Sequence, residues 1–226
     1  MQRVQKLLSN YGSYSRRKAE ELIKQGRVIV NQRVISIGDK ASPGDKIYVD
    51  SKLIKKQKAI YLMLNKPLGC ITALKDKKFK TIMHYIKVEE RVFPIGRLDY
   101  NTSGLLLLTN DGNFANRILH PRYEIKKTYL VGIDKPISAD EIASIESGLT
   151  LKDGKTKPIK AKKHNSVLLE ITTHEGKNRI VRRIFEKLGF KVKFLKRIKI
   201  GKLSIGGLKP GSHIALTKKD KEQIFA

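Results

Sequence analysis

The chain has 226 residues, 40% of them hydrophobic, enough for one large domain or one large domain plus a small one. Its 48 basic and 21 acidic residues give a formal net charge of +27, a field that draws in polyanions; the basic residues run along the whole chain, which points to a folded, charged groove rather than a basic tail. The single cysteine, Cys70, excludes an intrachain disulfide and a Cys-rich zinc site, and neither an apolar run of membrane-spanning length nor the apolar core of a signal peptide is present, so a cytoplasmic protein is expected.

In chain order, a first module of about 58 residues opens with Val4, Leu7 and Leu8 at helical spacing. Tyr11 to Ser13 break that helix. Ser15 is placed to cap a second one, in which Ala19, Leu22 and Ile23 repeat the spacing and Gly26 ends it. RVIVNQRVI then reads as two short strands around Asn31 and Gln32, Ser42 to Asp45 as a turn, and Lys46 to Val49 as a strand. On the second helix Arg17, Lys24 and Arg27 line one side, with Arg16 and Lys18 at its start, a pattern that suits phosphate contacts. Ser51 to Lys58, SKLIKKQK, is polar and reads as a linker.

The second module, 59–226, begins with a strand over Ile60 to Leu64, closed by Asn65-Lys66-Pro67. A short helix over Thr81 to Lys87 and a strand over Val92 to Ile95 follow. The run Gly96 to Gly112, GRLDYNTSGLLLLTNDG, then sets Arg97 and Asp99 in a turn-rich stretch before a buried strand at Leu105 to Thr109. Asn113 to Leu119 is expected to be helical, Lys127 to Ile133 a strand, Ser138 the cap of a helix to about Ser147, and Val167 to Thr173 a half-buried strand. Asn178 to Leu188 carries the clearest apolar helical stripe. Strands at Val192 to Leu195, Ile198 to Leu203 and Ser212 to Leu216 and a helix over Lys218 to Phe225 complete the chain. Short strands that do not alternate strictly with helices give an α+β expectation: a small α/β RNA-binding module, then a larger domain with a mostly antiparallel mixed sheet and flanking helices.

Asp99 is the leading candidate for chemistry, since rigid strands position reactive loops; a turn-forming or capping aspartate is the plain alternative. Arg179, Arg182 and Arg183 fall at i, i+3, i+4, on a face expected to lie opposite the apolar stripe. An arginine from that face could keep a buried carboxylate ionised, or the face could simply bind phosphate or water. Lys127 and Tyr129 share one side of their strand and suit a flipped base, with a structural tyrosine as an equal alternative. Lys66 sits in a turn-rich loop, and Asn178 in the polar loop before the late helix. No Ser–His–Asp set, paired carboxylates, GxGxxG or Walker loop is found, so no metal and no cofactor are expected.

These motifs resemble a known family. Ser15 to Asn31 and Pro43 to Val49 resemble the S-four-like RNA-binding module, named for a small-subunit ribosomal protein. LNKPLG (64–69), Gly96–Gly112, HPRYEIKKTY (120–129), EGKNRIVRRIFEKLG (175–189) and LKRIKIGKLSIGGLKPG (195–211) resemble, in order, the RsuA-type ribosomal RNA pseudouridine synthases. The resemblance implies isomerisation of a uridine to pseudouridine in ribosomal RNA or a pre-ribosomal particle, without metal or cofactor, by a protein expected to be monomeric. It implies Asp99 as the essential carboxylate, Arg182 as its basic partner and Tyr129 as the catalytic ring that stacks on the uracil and assists deprotonation at carbon 5. Arg97, Lys66, Lys127, Asn178, Arg179 and Arg183 are then expected to contact RNA, as are Arg16, Arg17 and Lys24. The chain departs from the family pattern at Ile180, where glutamine is frequent, and at Ile214, where arginine is frequent; both bear on RNA contacts rather than on reaction type. A noncatalytic RNA-binding or assembly protein is the competing class, and the Asp99, Tyr129 and Arg182 set argues against it.

Overall fold

A computed structural model describes residues 1–226. The chain forms two compact units, each described by itself. The first holds Met1–Tyr61, Val88–Phe93 and Leu108–Asn116; the second holds Leu62–Lys87, Pro94–Leu107 and Arg117–Ala226. The Leu108–Asn116 segment joins the first unit through specific bonds. Asn110 accepts from Ile60 N (2.9 Å) and donates to Lys58 O (2.9 Å), while Tyr61 donates its hydroxyl to Asp111 (3.0 Å).

The first unit contains β1 (Gln2–Arg3), α1 (Val4–Asn10), α2 (Arg16–Lys24), β2 (Val28–Val30), β3 (Arg33–Val34), β4 (Lys40–Ala41), β5 (Ile47–Val49) and β6 (Lys52–Leu53). The Ser15 side chain accepts from Lys18 N at 3.1 Å and so caps α2 as its position suggests. Asn31 and Gln32 both take positive φ, 46° and 69°, which matches the right-handed twist of the β2–β3 hairpin. One face of both helices closes over β2 and β5 in a core of Val4, Leu7, Leu8, Leu22, Ile23 and Ile47. The expected linker is corrected in part: Lys52–Leu53 pairs antiparallel with Tyr48–Val49 through a turn in which Asp50 and Ser51 have positive φ.

The remaining elements are β7 (Tyr61–Lys66), β8 (Phe93–Ile95), β9 (Ser103–Thr109), α3 (Gly112–Leu119), β10 (Lys127–Ile133), α4 (Ala139–Ser147), β11 (Thr150–Leu151), β12 (Gly154–Lys155), β13 (Lys160–Asn165), β14 (Leu168–Thr173), α5 (Ile180–Lys187), β15 (Val192–Ile200), β16 (Leu203–Ser204), β17 (His213–Ala215) and α6 (Lys218–Phe225). The stretch expected as a short helix after Thr81 is a 3₁₀ turn, Ile82–Tyr85. A nine-stranded sheet runs β13-β14-β10-β15-β9-β7-β17, with β16 beside β15 and β8 beside β9. The β13–β14, β14–β10, β10–β15 and β7–β17 ladders are antiparallel, and β9 joins β15 in parallel, so the sheet is mixed as expected.

Leu105 to Leu108 are fully buried, which explains why β9 reads as an unbroken apolar run rather than an alternating one. The main core packs Ile180, Val181, Ile184 and Phe185 of α5 against Val131, Leu169, Ile171 and Leu195 of the sheet. β15 is one continuous strand where two were expected. The Lys196-Arg197 pair reads as an interruption, yet Arg197 is 3% exposed and the ladder to β10 runs through it.

Candidate active site

Asp99 lies half-buried on the loop between β8 and β9. That loop is held by its backbone. Lys66 Nζ donates to the carbonyls of Asp99 (3.1 Å) and Thr102 (3.0 Å), and also to that of Pro67 (3.1 Å). Gly69 N donates to Tyr100 O (3.2 Å), Thr102 N to Asp99 O (3.0 Å), and Arg182 Nη2 to Asn101 O (2.6 Å). Every carbonyl from Asp99 to Thr102 therefore has a donor, and two of the donors are side-chain cations. The Asp99 carboxylate itself takes no hydrogen bond or ion pair within the chain, so it is left available to a ligand.

Lys66 corrects the expectation of an RNA contact. Its side chain is fully buried and all three of its N–H groups are spent on carbonyls, so it cannot meet a phosphate. β7 delivers it because the strand continues through Asn65 and Lys66 instead of stopping before them. Burial pulls its pKa below the usual lysine range, while Cys70 and the Asp99 carboxylate oppose that shift. Lys66→Met leaves three carbonyls without their donor while relieving a buried charge. The expected cost is about 2 kcal/mol of unfolding free energy by urea titration.

Arg182, expected as the basic partner of Asp99, does not lie on a face opposite the apolar stripe. It is 8% exposed, on the inner side of α5, and reaches Asn101 O and Val192 O (3.3 Å). Burial lowers its pKa from the usual arginine value, neighbouring Arg179 pushes the same way, and the Asp99 carboxylate favours its charge. No salt bridge joins Arg182 to Asp99; the contact that exists is to the loop backbone. Arg179 is no longer in the helix but caps it in the left-handed region (φ 48°), exposed, with a 3.4 Å pair to Glu186. Arg183 is bound by Asp153 through two bonds, 2.7 and 3.0 Å. The three arginines thus take three different roles.

Asp99 opens on a cleft of about 700 Å³. Arg97, Lys127, Tyr129, Asn178 and Arg179 line it with Asp99, so the structure brings these together. Ile118, Ile180, Val181, Leu195 and Ile200 give it apolar walls, wide enough for a planar base. Six cations line the cleft (Arg97, Lys127, Lys157, Lys177, Arg179, Arg197) against two carboxylates (Asp99, Glu175), which makes it attractive to a polyanion. The Ile180 that replaces a frequent glutamine is one of the apolar wall residues; Ile214 is exposed on β17. Arg16, Arg17 and Lys24 stand exposed along α2 of the first unit without a salt bridge. No group of three or more His, Cys, Asp or Glu side chains is placed to hold a metal. No helix is long and apolar enough to cross a membrane.

The sequence reading missed Arg197 and Thr102. Arg197 lines the cleft and donates from Nε to Leu105 O (2.7 Å). Its signal was present as a lone buried-phase position in LKRIKI, opposite Tyr129 in register.

Comparison with known proteins agrees with this arrangement. The family model described as RNA pseudouridylate synthase matches residues 60–187, and that of the S4 domain matches residues 2–47. A protein of Bacillus subtilis (strain 168) named ribosomal large subunit pseudouridine synthase B is 42% identical over 235 residues, covering 100% of this chain and 96% of that protein. The Escherichia coli (strain K12) dual-specificity RNA pseudouridine synthase RluF is 37% identical over 226 residues, covering 99% of this chain and 78% of its own. A crystal structure of a pseudouridylate synthase superposes with a TM-score of 0.75 at 32% identity, covering 99% of this chain and all of that one.

Proposed function

This chain belongs to the RNA pseudouridylate synthase family and is an RNA pseudouridine synthase, and from that premise we propose that it isomerises one uridine of ribosomal RNA, in the cytoplasm and as a monomer. In this reading residues 1–58 hold the RNA and residues 59–226 carry the chemistry. The observation that carries it is the Asp99 carboxylate, unpaired at the mouth of a cationic, apolar-walled cleft, on a loop whose backbone is bonded throughout.

A uridine in structured RNA must leave its stack before its glycosidic bond can be reached. Tyr129, on β10 in the cleft, supplies a ring on which the extruded base stacks. Asp99 acts at the sugar, either by adding to C1′ or by assisting a glycal. Arg182 acts through position and charge: it fixes the Asn101 carbonyl and keeps a cation near the carboxylate. Arg97, Asn178 and Arg179 contact the RNA at the cleft rim, and Arg183 steadies α5 through Asp153.

Incubating unmodified large- and small-subunit ribosomal RNA transcripts with the protein tests this reading. A site-resolved map should show pseudouridine at a defined uridine. A map with no change in either RNA would contradict it and favour a binding protein.

Arg16, Arg17 and Lys24 on α2 provide a phosphate-binding face remote in sequence from the chemistry. Replacing both arginines by alanine should reduce the slope of log affinity against log salt by about 1 to 2. The measurement is RNA binding between low and moderate salt, and the single-turnover rate at saturating RNA should stay within about threefold of wild type.

A further inference from the structure

Lys127 and Arg197 stand side by side in the cleft with no acidic partner. Lys127 spends one N–H on Ile125 O (3.1 Å), and two remain. Arg197 spends Nε on Leu105 O, and its buried Nη2 has no hydrogen-bond partner. Neither makes a salt bridge. Burial and the neighbouring guanidinium together push the Lys127 pKa down to about 8. Two adjacent cations without a counter-charge are costly to hold in a partly buried site, and such clusters mark places where a negative group arrives.

The surroundings identify that group. Arg197 is the cross-strand partner of Tyr129 between β15 and β10, so the guanidinium and the ring share one face of the sheet. Lys127 precedes Tyr129 by two residues on the same strand and lines the same cleft. The walls beside them, Ile180, Val181, Leu195 and Ile200, are apolar and suit a flat ring better than a hydrated phosphodiester.

We infer that Lys127 and Arg197 form a cationic subsite for the departing uracil, holding its negative charge between cleavage of one glycosidic bond and formation of the next. This rests on the pseudouridine synthase site proposed above. The C1′–N1 bond breaks with its electron pair going to N1, so uracil leaves as an anion with charge shared by O2 and O4. Lys127 and Arg197 donate hydrogen bonds to those oxygens and transfer no proton. C1′ is meanwhile held as an ester of the Asp99 carboxylate or, after loss of the C2′ proton, as a glycal; an electron pair from C5 then makes the new C1′–C5 bond as that ester bond breaks or C2′ regains its proton, the C5 proton is lost to solvent, and N1 takes a proton from solvent. Donors fixed where charge develops lower the barrier without reorganising, and a retained anion stays close enough to turn over.

The test compares leaving bases in single turnover at saturating enzyme. Ribosomal RNA transcripts carrying uridine or 5-fluorouridine are reacted with wild type and Lys127→Met, and loss of the N-linked nucleoside is read by liquid chromatography and mass spectrometry of nuclease digests, because C5 of 5-fluorouracil carries no proton to release and its C-linked product differs from that of uridine. With uridine, Lys127→Met should slow the reaction by about 10²- to 10³-fold. 5-Fluorouracil is the more acidic base and needs less help as an anion, so its slowing should be smaller by about tenfold. RNA affinity should change by less than about threefold. Arg197→Lys, which keeps charge at a buried position, should show the same ordering with a smaller loss than Arg197→Met. Equal slowing on both bases, or a loss confined to RNA affinity as a phosphate contact would give, overturns the inference. If wild type converts no uridine, the proposed function itself fails; if wild type is active, Asp99→Asn is inactive and Lys127→Met is unimpaired, only this subsite fails.

Discussion

Replacing Asp99 by asparagine should lower the single-turnover rate of pseudouridine formation by about 10⁴-fold or more, because the acting carboxylate is removed outright. The substitution is nearly isosteric. The bonds that shape the loop are made by the Asp99 carbonyl, not by its side chain, so Lys66 and Thr102 keep their partners. RNA affinity should therefore stay within about twofold of wild type, since phosphate contacts lie elsewhere. Quench-flow conversion of ribosomal RNA and a parallel binding titration check the two halves. A variant that binds and still converts at more than about a hundredth of the wild-type rate would remove Asp99 from the reaction.

The second large effect is on stability. Gly104 sits at the parallel junction of β9 and β15 with φ +106°, and a Cβ built there would come within 2.2 Å of Arg197 O and 2.7 Å of Arg197 N. Backbone cannot retreat as a flexible side chain can. Gly104→Ala should cost about 3–5 kcal/mol, adding left-handed strain to a clash at the strand pair that carries Arg197 and the Asp99 loop. Gly206 is the control: it has φ +53° and nothing within 4 Å of its built Cβ. Gly206→Ala should cost only about 1 kcal/mol. Urea unfolding of both variants separates clash from strain, and equal midpoints would refute the close-approach argument.

The larger site illustrates what a sequence discloses and what it withholds. Asp99 and Tyr129 were legible because their neighbourhoods are local: a turn before an apolar run, and a strand with alternating faces. Helices α2 and α4 were legible through their caps, Ser15 and Ser138, whose side chains accept from Lys18 N and Glu141 N. Lys66 was misjudged because a buried lysine looks like a surface one until its acceptors are known, and those acceptors lie 33 and 36 residues away. Only the face of Arg182 was misplaced: helical spacing put it with Arg179 and Arg183 opposite the apolar stripe, but a carbonyl 81 residues away, on the Asp99 loop, draws it inward. Arg179 was displaced because α5 begins at Ile180, where the apolar stripe begins, two residues after the expected start at Asn178, leaving Arg179 as a left-handed cap. β13, Lys160–Asn165, escaped notice since it is an edge strand with lysine at three of its six positions and no apolar alternation to reveal it. For Lys66 and Arg182 the missing information was a long-range partner rather than a local preference.

These residues share one logic. Two buried cations, Lys66 and Arg182, act on the backbone and hold the Asp99 loop still; two others, Lys127 and Arg197, line the cleft without an acidic partner. Positive charge in this protein therefore stands at three places: exposed along α2, in the cleft that Asp99 opens on, and beneath the Asp99 loop, where it bonds the backbone.

The most direct test of the central claim is a site-resolved pseudouridine map of ribosomal RNA from cells lacking this gene, complemented with wild type or with Asp99→Asn. Pseudouridine should be absent at one defined uridine in the deletion, return with wild type, and stay absent with Asp99→Asn expressed at the same level. Restoration by Asp99→Asn, or maps that match in the presence and absence of the gene, would contradict the account.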